Sequence, residues 1–281
     1  MLKVRRKKIA KDTVDILQRG HYETQKAGNV NISESLSFCL TQTRCYNPEG
    51  LVRLEAEVLS QSPAFSQTKF EVENETSLQG AERLARLERF TKVGVLNFAS
   101  AKNPGGGFLN GAQAQEESLA RSSGLYRSLL KCPEYYEFHR NLRSLLYSNH
   151  IIYSPHCPVF RLDDGTLLDD PYLVDFVTSP APNLGAIERN EPKAKKQVPE
   201  VLRDRASKIL TLAAYHNCDA LVLGAWGCGV FRNNPAVVSQ AFADLLLPSG
   251  VFWGRFNTIL FSVLDRTSEQ NIFREFRDRF S

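Results

Sequence analysis

The chain has 281 residues, 42% hydrophobic and 23% charged, the balance of an ordinary globular protein with apolar material for a sizeable core. No apolar run approaches the ~20 residues of a membrane span, and the basic start Met1–Lys8 is not followed by the apolar stretch of a secretory signal. Basic residues number 35 against 31 acidic, and the net +4 is too small to mark a nucleic-acid binder.

At about 150 residues per domain, one large domain or one with an appendage is expected. Residues 1–70 read as the appendage, an N-terminal accessory segment with one or two helices and a β element. It holds a short amphipathic piece at Asp12–Leu17, a Gly28-Asn29 turn, and a β element around Ser37–Thr43. Residues 71–281 alternate strand and helix. Val93–Ala99 reads as a buried strand, followed by a glycine-rich loop. A helix near 117–130 then carries Leu119, Tyr126, Leu129 and Leu130 at helical spacing. Ile151–Tyr153 and Tyr172–Val177 are further strands, and a long helix covers 198–216. Strand Ala220–Leu223 leads to a second glycine-rich turn and a helix opened by Asn234-Pro235, with Asn as cap and Pro at the first position. Strand Thr258–Leu264 and a helix over 269–280 complete the pattern. Such alternation predicts an α/β fold, a sheet covered by helices on both faces with ligands at the carboxyl ends of its strands.

Chemistry concentrates in Asn97–Glu117. Gly105, Gly106 and Gly107 follow a buried strand, where the missing Cβ atoms let backbone approach a ligand and free N–H groups can face an anion. Gly224–Phe231 repeats the setting after another strand. Either loop alone reads as a tight turn; the two together favour a ligand such as a diphosphate. Neither run continues to Gly-Lys-Ser/Thr or spells Gly-x-Gly-x-x-Gly, so the familiar nucleotide loops are unsupported. Glu116 and Glu117 sit where the first loop enters a helix, about 100° apart around its axis, and can serve different tasks. Taken alone, they are acidic residues offsetting the helix dipole by ~0.3–1 kcal/mol. The dipole lowers a carboxyl pKa, so an acid role needs burial or a neighbouring anion to outweigh it.

These residues resemble the microbial branch of the poly(ADP-ribose) glycohydrolase family. The likeness rests on Gly105-Gly106-Gly107, seven residues, then Gln115-Glu116-Glu117, with the flank Asn97–Pro104. It covers roughly residues 70–280 and includes Gly224–Phe231, similar to the second phosphate loop of a macrodomain. The resemblance implies a macrodomain-like three-layer α/β/α fold with a mixed sheet. It also implies hydrolysis of the ribose–ribose O-glycosidic bond of poly(ADP-ribose) and a place in the DNA damage response. On this likeness Glu117 is the catalytic glutamate, giving the proton to the leaving oxygen and then taking one from water. Glu116 binds the hydroxyls of the ribose being cleaved, and Gln115 helps fix the loop. Asn103 reaches the same ribose, with Asn97 as its competitor. Gly105, Gly106, Gly107, Gly227, Cys228, Gly229 and Val230 cradle the diphosphate, and Phe231 packs beside the reacting ribose. Thr267 and Phe273 are expected near the adenosine end.

Other candidates weaken. Cys228 follows a strand, but Trp226 and Val230 break the Gly-x-Cys-x-Gly elbow of a nucleophile, so packing is expected. His156 between Pro155 and Pro158 reads as structural in a rigid loop, and Asp163-Asp164 with Asp169-Asp170 as a solvated hairpin. Ser179–Asn183 ends a strand on the ligand side and can wall the crevice. The six cysteines form no Cys-x-x-Cys pair and have no histidine at zinc spacing. No metal, no cofactor and a reducing cytoplasm are expected. The expected partners are poly(ADP-ribose), ADP-ribose and ADP-ribosylated proteins, with the chain a monomer and no membrane contact. The alternatives are a macrodomain that reads ADP-ribose without cleaving it and a hydrolase of mono-ADP-ribosylated targets. A nucleic-acid binder using Lys3–Lys8 is the non-enzymatic outsider.

Overall fold

The computed structural model describes residues 1–281. The first part runs α1 (Lys3–Arg19), β1 (His21–Thr24), β2 (Gly28–Asn31), α2 (Ser33–Gln42), β3 (Arg44–Tyr46) and α3 (Pro48–Ser60). Then come β4 (Lys69–Glu73), α4 (Ser77–Ala85), β5 (Val93–Phe98), α5 (Gln115–Ser122), α6 (Leu125–Leu129) and α7 (Pro133–Asn141). The chain closes with β6 (Ile151–Arg161), β7 (Leu167–Ser179), α8 (Leu184–Asn190), α9 (Val198–Tyr215), β8 (Ala220–Leu223), α10 (Pro235–Leu246), β9 (Thr258–Ser262) and α11 (Asn271–Phe280).

Seven strands form one mixed sheet in the order β3-β6-β7-β5-β8-β9-β4. β7, β5, β8, β9 and β4 run parallel, while β6 is antiparallel to both neighbours. Side chains alternate across the sheet as the pleat requires. Val93, Val95, Val222 and Leu260 join one apolar layer with α4–α7, whereas Leu96, Leu221, Leu223 and Phe261 join the other with α3 and α9–α11. This is the expected three-layer α/β/α arrangement. No helix is long and apolar enough to cross a membrane.

Four local expectations change. Ser37–Thr43 lies largely in helix α2, because Leu36, Cys39 and Leu40 share one helical face against Phe160 and β6. The helix expected over 117–130 is broken at Ser123, which is extended and bridges Val159, while the Gly124 amide donates to Pro158 O (2.9 Å). Tertiary strand pairing outweighs helical spacing there. The Gly28-Asn29 turn is the far side of a β1–β2 hairpin. His156 sits inside strand β6 rather than in a loop, at a bulge with φ +47°, its amide donating to Asp175 Oδ1 (2.7 Å).

Candidate active site

Because β7, β5, β8 and β9 are parallel, their carboxyl ends open on one side, and the loops that follow them meet. Gly224 packs against the Phe98 ring and Gly227 against Ala181, contacts a Cβ at either position would obstruct. The loop after β5 turns through Gly105 (φ +67°) and Gly106 (φ +58°), where glycine meets no steric penalty. Beneath it Phe108 is fully buried with Ala10 and Ala120.

The first turn of α5 is locked to the end of β5 by its own side chains. Gln115 Oε1 accepts from the Phe98 amide (2.9 Å), and its Nε2 donates to Leu96 O (2.7 Å) and Ser77 Oγ (3.1 Å). Gln115 thus continues the hydrogen bonding of the strand, and this places the next two residues. Glu116, 3% exposed, accepts from the Ser100 amide (2.7 Å) and from Asn97 Nδ2 (3.2 Å). Burial, and then the adjacent Glu117, push its carboxyl up to about 8, against the pull of those donors. Glu117 is half-buried at the rim, and its Oε1 accepts from the Gly107 amide (3.0 Å). A Cβ on Gly106 would collide with Glu117 Oε1 and lie 3.2 Å from Glu116 Oε2. The three glycines therefore do more than approach a ligand. The Gly106 amide donates to Asn103 O and the Gly107 amide to Glu117, so this loop uses its donors to set the acidic pair.

The second loop is built the other way. The Cys228, Arg232 and Asn233 amides close its turns onto Ala225, Gly229 and Gly227 carbonyls, while the amides of Gly227, Gly229, Val230 and Phe231 meet no protein acceptor. Free, adjacent N–H groups of this kind suit an anion. Val230 is 76% exposed at the tip, and Phe231 is half-buried with its ring 6.2 Å from Tyr147. Burial pushes the Cys228 thiol up to about 12, the opposite of an activated nucleophile.

Of the two asparagines, Asn97 is fully buried beneath Glu116 and also reaches Thr178 Oγ1 (3.2 Å), while Asn103 is exposed on the rim. Thr267 is exposed after β9, its bonds confined to its own turn with Asp265 and Gln270. Phe273 packs against the core, and nothing brings these two into contact with the acidic pair. Two residues that position the crevice, Arg205 and Asn233, escape sequence reading. Together with Trp226 of the second loop they clamp the wall after β7 from behind: Trp226 Nε1, Arg205 Nη1 and Asn233 Nδ2 donate to the Ser179, Pro180 and Pro182 carbonyls (3.1, 2.8 and 2.9 Å). The only sign of the two was a charge amid the apolar spacing of a long helix and an Asn beside a cap.

Gly106→Ala tests this geometry. The Cβ adds ~1–2 kcal/mol of left-handed strain and displaces the Glu117 carboxyl, so turnover is expected to fall roughly 100-fold. Unchanged turnover in a steady-state assay would show that the carboxyl tolerates displacement.

The family model described as the microbial-type PARG catalytic domain matches residues 10–162, which include the acidic pair but end before the second loop. No curated protein matches. The crystal structure of poly(ADP-ribose) glycohydrolase (PARG) from Thermomonospora curvata is 47% identical, with TM-score 0.93, over 98% of this chain and 99% of that one. The same enzyme bound to the inhibitor ADP-HPD matches with TM-score 0.91 at the same identity and coverage. The Deinococcus radiodurans enzyme in complex with ADP-ribose is 44% identical, with TM-score 0.82, over 87% of this chain and 96% of that one. The likeness runs through the first 70 residues as well as the rest, and with this acidic pair and these two loops the chain belongs to the microbial-type poly(ADP-ribose) glycohydrolases, glycoside hydrolases acting on poly(ADP-ribose).

Proposed function

We propose that this chain releases ADP-ribose from poly(ADP-ribose) by cleaving the ribose–ribose O-glycosidic bond, with Glu117 as general acid and base. The observation that carries the reading is the division of labour between the loops. One holds a rim glutamate on a backbone amide above a buried glutamate; the other presents unpaired amides to an anion. The two relatives solved with ADP-ribose and ADP-HPD support the same ligand class.

In this mechanism the diphosphate rests on the free amides of Gly227, Gly229, Val230 and Phe231, Glu116 and the rim residue Asn103 hold the ribose, and Phe231 packs beside it. The bond from the ribose carbon to the leaving oxygen breaks as Glu117 gives that oxygen a proton. The cation-like sugar then takes water, whose proton returns to Glu117, so the enzyme ends as it began. Residues 1–70 are read as part of the catalytic body rather than a detachable accessory. They supply edge strand β3 to the sheet and α1 beneath the first loop. All six cysteines are free thiols and five are buried, which supports a reducing cytoplasm.

The test is incubation of the native protein with purified poly(ADP-ribose), scoring free ADP-ribose and polymer binding together. Release of ADP-ribose is the expected result. Tight binding without release would leave a reader of ADP-ribose instead, and release only from mono-ADP-ribosylated protein would move the activity to that bond.

A further inference from the structure

Helix α1 is tied to the loop that carries the acidic pair. Arg6 Nε donates to Gly111 O (2.8 Å), Thr13 Oγ1 to Arg121 O (2.6 Å), and Ala10 packs on Phe108. A Cβ built on Gly111 lies 2.9 Å from Lys7 Cγ and 3.2 Å from Lys3 Cγ, so both lysine stems lie on that glycine. The loop then closes on itself, the Ala112 amide donating to Gly107 O (3.1 Å), and Gly107 holds Glu117. Lys3, Lys7 and Lys11 follow at i, i+4 and i+8, one edge of the helix. All three are exposed, and the carboxylate ion pair on this helix, Asp12 with Arg161, leaves them free.

Cleavage at Glu117 determines where the rest of the substrate must go. The leaving oxygen belongs to the next unit of the polymer, so the remaining chain departs from the Glu117 rim, and each of its units brings another diphosphate. Resting on the mechanism proposed above, we propose that the Lys3–Lys7–Lys11 edge of α1 is an extended-substrate surface holding the anionic remainder of poly(ADP-ribose) beyond the unit being cleaved. The Lys3 and Lys7 stems lie against Gly111 of the loop, and all three lysines are exposed, which suits a mobile polyanion contacted through its phosphates rather than its bases.

The test compares the native protein with Lys3→Gln/Lys7→Gln/Lys11→Gln, both as full chains, on long and short poly(ADP-ribose) fractions, on ADP-ribose and on a single-stranded oligonucleotide. The variant is expected to lose affinity for long polymer, less for short polymer, and none for ADP-ribose. Three fewer phosphate contacts lower the slope of log affinity against log salt by about 2, so between ~50 and ~200 mM salt the native protein loses about 20-fold more affinity than the variant. Equal polymer affinity in the two proteins would overturn the proposal. So would a parallel loss for ADP-ribose, which would make the lysines supports of the loop. A loss confined to a single-stranded oligonucleotide would overturn it in favour of a nucleic-acid surface. If the native protein neither binds nor cleaves the polymer, it is the underlying mechanism that fails.

Discussion

Glu117→Gln is expected to reduce release of ADP-ribose by ~100- to 10,000-fold, the range supplied by a positioned general acid and base, while ADP-ribose still binds. Glutamine keeps the length and one oxygen of the side chain, so the Gly107 amide retains its acceptor and the loop its shape. What disappears is the transferable proton. The loss belongs in kcat and leaves KM nearly unchanged, because the amides proposed to hold the diphosphate, those of Gly227, Gly229, Val230 and Phe231, lie on a different loop. Steady-state kinetics paired with a binding isotherm separate the two. Turnover within a few-fold of native would remove Glu117 from the chemistry; lost binding would mean that the loop had collapsed.

The largest effect on stability is expected at Glu116, and its sign follows from burial. Unfolded, the carboxyl titrates near 4.5; folded, it is pushed up to about 8. Between those values the folded chain keeps a proton that the unfolded chain has released. Raising the pH through that window therefore withdraws stability, by up to ~1.4 kcal/mol per pH unit from this group, and below it the effect vanishes. Glu116→Gln removes the titration. The variant should gain on the native protein steadily from pH 5 to pH 8 in chemical denaturation, with the two curves running parallel below pH 4.5. Asn97 can accommodate the new amide, since its Oδ1 is buried without a partner and an amide flip turns that oxygen to the glutamine. Parallel curves at every pH would show that Glu116 titrates as an ordinary surface carboxyl.

Strands with uninterrupted apolar character were legible from the chain, and so was the meeting of the glycines with the acidic pair, which the structure brings together at Gly106, Gly107, Glu116 and Glu117. Ala220–Leu223 and the Asn234-Pro235 helix start coincide with expectation because a buried β run and a capped Pro are local signals. The break at Ser123 was not legible, since it depends on Val159 arriving from a strand far along the chain. The same holds for Arg205, whose three acceptors (Asn149, Pro180 and Leu146) are gathered only by the fold. Gln115 was expected to fix the loop; that it does so by standing in for the next residue of a strand follows only from where β5 ends.

The β4–β9 pairing carries a consequence for how the chain reaches this state. Lys69–Glu73 aligns with Thr258–Ser262, so a strand made early waits for a segment synthesised far later along the chain. Until β9 emerges, β4 has no neighbour and the apolar strand β8 presents a bare edge. Pairings this distant along the chain slow the search for the native topology. They also leave the half-made sheet open to joining a second copy edge to edge. A ribosome stalled before Thr258 would thus hold a sticky, incomplete sheet, and yield in recombinant production should depend on keeping incomplete chains dilute and the temperature low more than on any property of the finished site.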